Sequence, residues 1–142
     1  MPYRLVYSSE AAPGLTPAEL EGMLAESRIR NKAHGISGVL IFVDGAFLQV
    51  LEGEKNDVID LMGRIDRDPR HRGVKVFYEQ DVDERAFTSW SMAYLAPSAT
   101  EVAKWAELEG ATTIGDVLAS VEAHPGQLPG MVVNILKALA KN

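Results

Sequence analysis

The chain has 142 residues, 46% of them hydrophobic and 24% charged, enough for one globular domain with a sizeable core. A net charge of -6 argues against a nucleic-acid groove or a bare membrane-surface role, because both rest on clustered Lys and Arg. The lack of cysteine excludes disulfides, thiol catalysis and sulfur-ligated zinc, while "VLIFV" at 39–43, the longest apolar run of note, is far below the roughly 20 residues of a membrane span.

"YRLVYSS" at 3–9 reads as a first strand with Tyr3, Leu5 and Tyr7 on one face, ended by "AAPG". A helix follows, with Thr16 as cap, Pro17 at its first position and Glu19 completing a capping box. Its inward stripe is Leu20, Met23, Leu24, Ser27 and Asn31, which turns polar in the last turn. "GISGVLIFV" at 35–43 is a second strand, and "DG" at 44–45 signals a hairpin into "AFLQVLE". A second helix, 54–67, places Val58, Leu61, Met62 and Ile65 on one face and stops before Pro69. "GVKVFYEQ" at 73–80 supplies a fourth strand and "SWSMAYL" at 89–95 a short fifth.

The order β-α-β-β-α-β predicts an α+β, ferredoxin-like fold whose first and third strands are central neighbours and whose two helices cover one sheet face. Beyond Pro97 three further helices are expected, at 99–108, 113–123 and 129–140. Their apolar positions Val102, Trp105, Leu118, Val121, Val133, Leu136 and Leu139 need a surface, and the second sheet face, with Val6, Leu48 and Val50, offers one. Residues 1–96 are therefore read as the functional domain and 97–142 as a helical extension acting as cap or output region. No leader is evident in "MPYRLVYSSE", and a cytoplasmic location is expected.

One residue breaks the pattern. Strand alternation puts Gln49 on the face of Phe47 and Leu51, opposite Ala46, Leu48, Val50 and Glu52, so its amide points into an apolar layer. An unmet buried amide costs about 1 to 3 kcal/mol, so something must answer it. Tyr7, on the adjacent strand, shares that layer, as do Ser27 and Asn31, with Arg64 and Asp68 at the end of the second helix. Singly each has an ordinary explanation: a buried Tyr bonds one carbonyl, a helix-end Asn caps, and Arg64 with Asp68 at i,i+4 forms a solvated pair. Together they line an apolar crevice between two helices, as a small-molecule site does. No histidine pair has metal-ligand spacing, and no catalytic triad, nucleophile elbow, dinucleotide fingerprint or phosphate loop appears. A phenol, two amides and an ion pair suit the binding of a flat, amide-edged heterocycle and do not suit hydrolysis, so no enzyme is expected.

The segments "LVYSS", "RNKAHGISGVLIF", "GAFLQVLEGE", "DPRHRGV" and "FTSWSMAY", in this order and spacing, resemble the BLUF domain, a flavin-binding blue-light sensor, over residues 3–95. The three C-terminal helices look like those of the short, stand-alone members. The resemblance implies non-covalent FAD, with FMN or riboflavin as alternatives, its ring held between the two helices. It assigns Tyr7 as electron and proton donor and Gln49 as the switching amide. Asn31, Arg64 and Asp68 match ring-edge contacts, Ser27 and His71 are further flavin-binding candidates, and Trp90 and Met92 match the alternately placed pair on the fifth strand. Lys32 departs from the pattern, standing where some members carry a second asparagine.

The expected function is a photoreceptor that signals to an unidentified downstream protein by altering the packing of the fifth strand and the C-terminal helices, with Trp90 and Met92 as ordinary core residues the competing reading. A homodimer is expected from the apolar sheet face and amphipathic terminal helices. Two other functions compete, a flavin-free ferredoxin-like binding module and a small acylphosphatase-like enzyme. The latter needs an arginine in the loop after the first strand, and "SSEAAPGL" offers none.

Overall fold

The computed structural model describes residues 1–140, so the last two residues of the expected extension 97–142 lie outside it. Strand β1 (Tyr3–Ala11) runs two residues beyond the expected 3–9. Helix α1 (Pro17–Ala33) starts where Thr16 Oγ1 accepts from Glu19 N at 3.2 Å. The expected capping box is half formed, because the Glu19 carboxylate takes the Thr16 hydroxyl at 3.1 Å. Strands β2 (Ser37–Val43) and β3 (Ala46–Gly53) are joined by Asp44 and Gly45, both at positive φ, the two-residue turn that "DG" predicts. Helix α2 (Lys55–Arg67), β4 (His71–Asp81) and β5 (Ala93–Leu95) follow.

The sheet order is β4-β1-β3-β2-β5. β1 lies antiparallel between β3 and β4, β2 is antiparallel to β3, and β5 is parallel to β2. This is the ferredoxin-like arrangement expected, with β1 and β3 adjacent and Tyr7 directly opposite Gln49. Gly38 lets β2 approach β3, since a Cβ there would meet Val50 O at 1.9 Å.

The two sheet faces alternate residue by residue, as strand geometry requires. Tyr3, Leu5, Tyr7, Leu40, Phe47 and Leu51 pack with Met23 and Leu24 of α1 and Val58 and Leu61 of α2. Val6, Val39, Ile41, Leu48 and Val50 pack against α3 (Ala99–Trp105), α4 (Ile114–Ala123) and α5 (Leu128–Ala140). Ser98 closes a full capping box on α3, and Thr113 caps α4. On α5 the buried stripe is Met131, Val132, Ile135 and Leu139, which leaves Val133 50% exposed and corrects its expected place in the core. Among the described residues no helix is long and apolar enough to cross a membrane.

Candidate functional site

The site is built from one strand pair, two helices and the approach to β5. Tyr7, fully buried, donates its hydroxyl proton to Gln49 Oε1 across the β1–β3 pair. Gln49 Nε2 donates in turn to Met92 Sδ at 3.2 Å. Burial, reinforced by the nearby Asp68 carboxylate, pushes the Tyr7 phenol above its ordinary pKa and keeps it protonated. The Gln49 amide thus has a strong partner at its oxygen and a weak one at its nitrogen, because a thioether is a poor acceptor.

Asn31, in the last turn of α1, is 1% exposed and donates from Nδ2 to Ser91 O at 2.9 Å. Its Oδ1 is buried without a partner among the described residues. A cleft between α1 and α2 brings Ser27 and Asn31 together with Gln49, Asp68, Arg70 and His71, over an apolar floor of Leu40 and Leu61. His71 is held by Ser9 Oγ at 2.7 Å and packs on Phe47 with ring centroids 4.9 Å apart. Burial lowers its pKa, so the imidazole is neutral near neutrality.

Four of the expected groups behave differently from one another. Met92 reaches Gln49, whereas Trp90 packs on the opposite core, edge-on to Phe87 at 6.5 Å between centroids. Asp68 lines the cleft, whereas Arg64 is exposed and lines a separate depression with Arg30 and Asp60. The i,i+4 pair of Arg64 with Asp68 does not form. α2 ends at Arg67, and Asp68 takes an extended conformation that carries its carboxylate off the helix surface. Its oxygens instead accept from Arg70, from Nη2 at 2.7 Å, Nε at 3.0 Å and the backbone N–H at 2.9 Å. The Arg70 guanidinium holds the Asp68 carboxyl below the usual range.

The sequence reading missed three residues of this neighbourhood. Arg70 was foreshadowed by "DPR", where an Asp side chain bonding the backbone two residues on is a common turn device. Glu52, an acid on the apolar face of β3, was visible as an oddity: it is fully buried and accepts from Arg4 Nε at 2.9 Å and from the backbone N–H groups of Ala86 and Phe87 at 3.0 and 2.8 Å. Arg28 gave no signal, because its partner is the backbone carbonyl of Met92, to which Nε donates at 3.0 Å.

The donor set fits a flat heterocycle with carbonyl and N–H edges. Asn31 Oδ1 is an acceptor in want of an N–H, and Gln49, Ser27 and Arg70 line the same cleft.

Comparison with known proteins is consistent with that chemistry. The family model of BLUF, sensors of blue-light using FAD, matches residues 3–93. The photoactivated adenylate cyclase subunit beta of Euglena gracilis is 36% identical over 98 residues, 68% of this chain and 11% of that protein. The chain thus spans about a tenth of the length of the curated relatives it matches. Among solved structures, BlsA in its photo-activated state superposes with a TM-score of 0.83 at 31% identity, over 96% of this chain and 95% of that one. The dark-state structure of BlrB, a BLUF protein, gives 0.77 at 25% identity over 96% of each chain.

Proposed function

Because the chain belongs to the BLUF family, the sensors of blue-light using FAD, we propose that it is a cytoplasmic photoreceptor that holds FAD non-covalently in the α1–α2 cleft and switches through Tyr7 and Gln49. The observation that carries this reading is the chain from Tyr7 to Gln49 to Met92 beside the unpaired Oδ1 of Asn31. Asn31 Oδ1 would accept from an imide N–H of the ring, with Gln49, Ser27, Asp68 and His71 around it. Arg64, in the depression outside the cleft, and Arg30, which lines both, would reach the more distant part of the cofactor. A bound flavin supplies absorption of blue light and an excited state able to take an electron from a neighbouring phenol.

The residues supply the rest. Tyr7 keeps its proton on the hydrogen bond to Gln49 Oε1, so the electron donor and a proton path are coupled in one contact. An amide has chemically different ends, and turning it, or exchanging its tautomer, interchanges donor and acceptor. In the reversed state Nε2 faces Tyr7 and Met92 Sδ loses its donor. The signal then leaves through Met92 and β5 to α3–α5, the extension that a downstream protein reads. Trp90, packed on the other core, would feel the same movement only through β5 and Phe87. The second sheet face is covered by the chain's own helices, so the surface available to a partner or a second copy includes exposed Val133 on α5. Cyclase activity is named for much longer relatives and is not carried over to this chain.

The test is optical. The purified protein is expected to be yellow and to show a reversible red shift under blue light. Tyr7→Phe and Gln49→Leu should keep the colour and lose the shift. A protein that stays colourless after reconstitution with flavin overturns the reading in favour of a flavin-free binding module, and a normal photocycle in either variant overturns the assigned switch. Reconstitution in parallel with FAD, FMN and riboflavin ranks the cofactors, and light scattering in dark and light measures the oligomer.

A further inference from the structure

In an extended strand successive carbonyls point to opposite sides, so a single helix does not bond two in a row. α1 nevertheless does so. Asn31 Nδ2 donates to Ser91 O at 2.9 Å and Arg28 Nε donates to Met92 O at 3.0 Å. Residues three apart share a helix face, and the backbone bends at Ser91 and Met92 so that β5 begins only at Ala93. The preceding carbonyl, of Trp90, accepts from Gly38 N on β2 at 3.1 Å. Three consecutive carbonyls are thus held from two directions.

Met92 is consequently gripped at both ends, at its main chain by Arg28 and at its sulfur by Gln49. The two grips differ in kind. The sulfur contact is weak and depends on which way the amide points, whereas the guanidinium bond is charge-assisted and independent of it.

We propose that Arg28 is a positioning residue of the switch: by holding the Met92 carbonyl it keeps the thioether in place while Gln49 is turned away, and so sets the rate of return to the dark state. This rests on the Tyr7–Gln49 reading above. With the carbonyl held, reversal needs the rotation of one amide. With it released, the bend keeps only the Asn31 tie, Met92 drifts from the amide, and return waits on the backbone. Arg28 also lies in one surface cleft with Trp90, Tyr94 and, from the last turn of α5, Leu139, so the same tie holds β5 where it meets the C-terminal helices.

The experiment uses the full chain with flavin bound and two variants of this exposed residue, Arg28→Ala and Arg28→Gln. Glutamine sets an N–H donor as many bonds from the backbone as Arg Nε, without the charge. Loss of one charge-assisted hydrogen bond predicts a thermal recovery roughly ten-fold slower in Arg28→Ala, with Arg28→Gln, which keeps the donor without the charge, about midway between it and wild type. A wild-type recovery rate in Arg28→Ala, or a Gln variant as slow as the Ala variant, overturns the proposal. A second readout needs no photochemistry: amide hydrogen exchange in the dark should quicken at Ala93–Leu95 in Arg28→Ala and be restored in Arg28→Gln. Unchanged exchange there overturns the grip itself, whereas a wild-type protein without a red shift overturns the reading of the switch, so the two failures are told apart.

Discussion

Gln49 and Glu52 stand three residues apart on β3 and face opposite sides of the sheet. Glu52, fully buried among apolar side chains, has its carboxylate met by Arg4 and by two backbone N–H groups of the segment before β5. Gln49, buried on the cleft side, spends its N–H on a thioether, and its neighbour Asn31 has an oxygen with no partner among the described residues. The fully satisfied group fixes one arrangement, since any other leaves a charge unpaired in low dielectric. The under-satisfied pair leaves hydrogen-bonding capacity unused, which a ligand N–H or a turned amide can recover. On the proposed function, one face of the sheet is built to stay, and the other to bind and change.

The sharpest way to break that contrast is Glu52→Ala. It strands Arg4 and two backbone donors and should cost about 3 to 5 kcal/mol in urea denaturation. A loss below about 1 kcal/mol would place Glu52 among the dispensable polar groups. Gln49→Leu should lose less than half as much, because the leucine recovers apolar burial against the unpaired Tyr7 hydroxyl. Asn31→Ala is expected to cost about 1 kcal/mol of stability through the Ser91 tie, yet to weaken flavin binding roughly ten-fold by titration if, as proposed, the unpaired oxygen accepts from the ligand.

The smallest effect is on pH. Burial holds the His71 imidazole below its ordinary pKa, with Arg70 adding to the shift and Asp68 opposing it. The unfolded chain takes up its proton near pH 6.5, so stability is level above that value and falls as the pH drops below it. Asp68, whose carboxyl Arg70 holds down, adds a loss only nearer pH 4 and below. His71→Asn should flatten the slope between pH 6.5 and 5, and an unchanged slope would remove His71 as its source.

The sequence disclosed what depends on local pattern. Alternation placed Gln49 with Phe47, the fold order placed Tyr7 on the adjacent strand in the same layer, and "DG" marked the β2–β3 turn, whereas the β1–β3 register that sets Tyr7 directly opposite Gln49 came from the structure. The sequence failed where a side chain meets a distant backbone. The fifth strand was expected from residue 89 and begins at 93, because the carbonyls of 91 and 92 are taken by Asn31 and Arg28 of α1. No periodicity encodes such a contact. Arg64 was misplaced for a related reason, since i,i+4 spacing presumes a helix that continues, and α2 stops at Arg67. On α5, Val132 and Val133 are chemically equal, and only the helix's rotation against the sheet decides that the first is buried and the second exposed.

Strand β5 pairs with β2 through only three residues, Val39 with Ala93, Leu40 with Tyr94 and Ile41 with Leu95. Closing the long stretch of chain between them costs about 3 to 4 kcal/mol in loop entropy for a very short ladder. That pairing is therefore expected to form late in folding and to open early in native-state exchange. Both flanks stay moored meanwhile, by the Gly38–Trp90 bond on one side and the helices packed on the second face on the other. The strand has the build of a clasp with both ends sewn down, whose opening would leave the rest of the molecule folded.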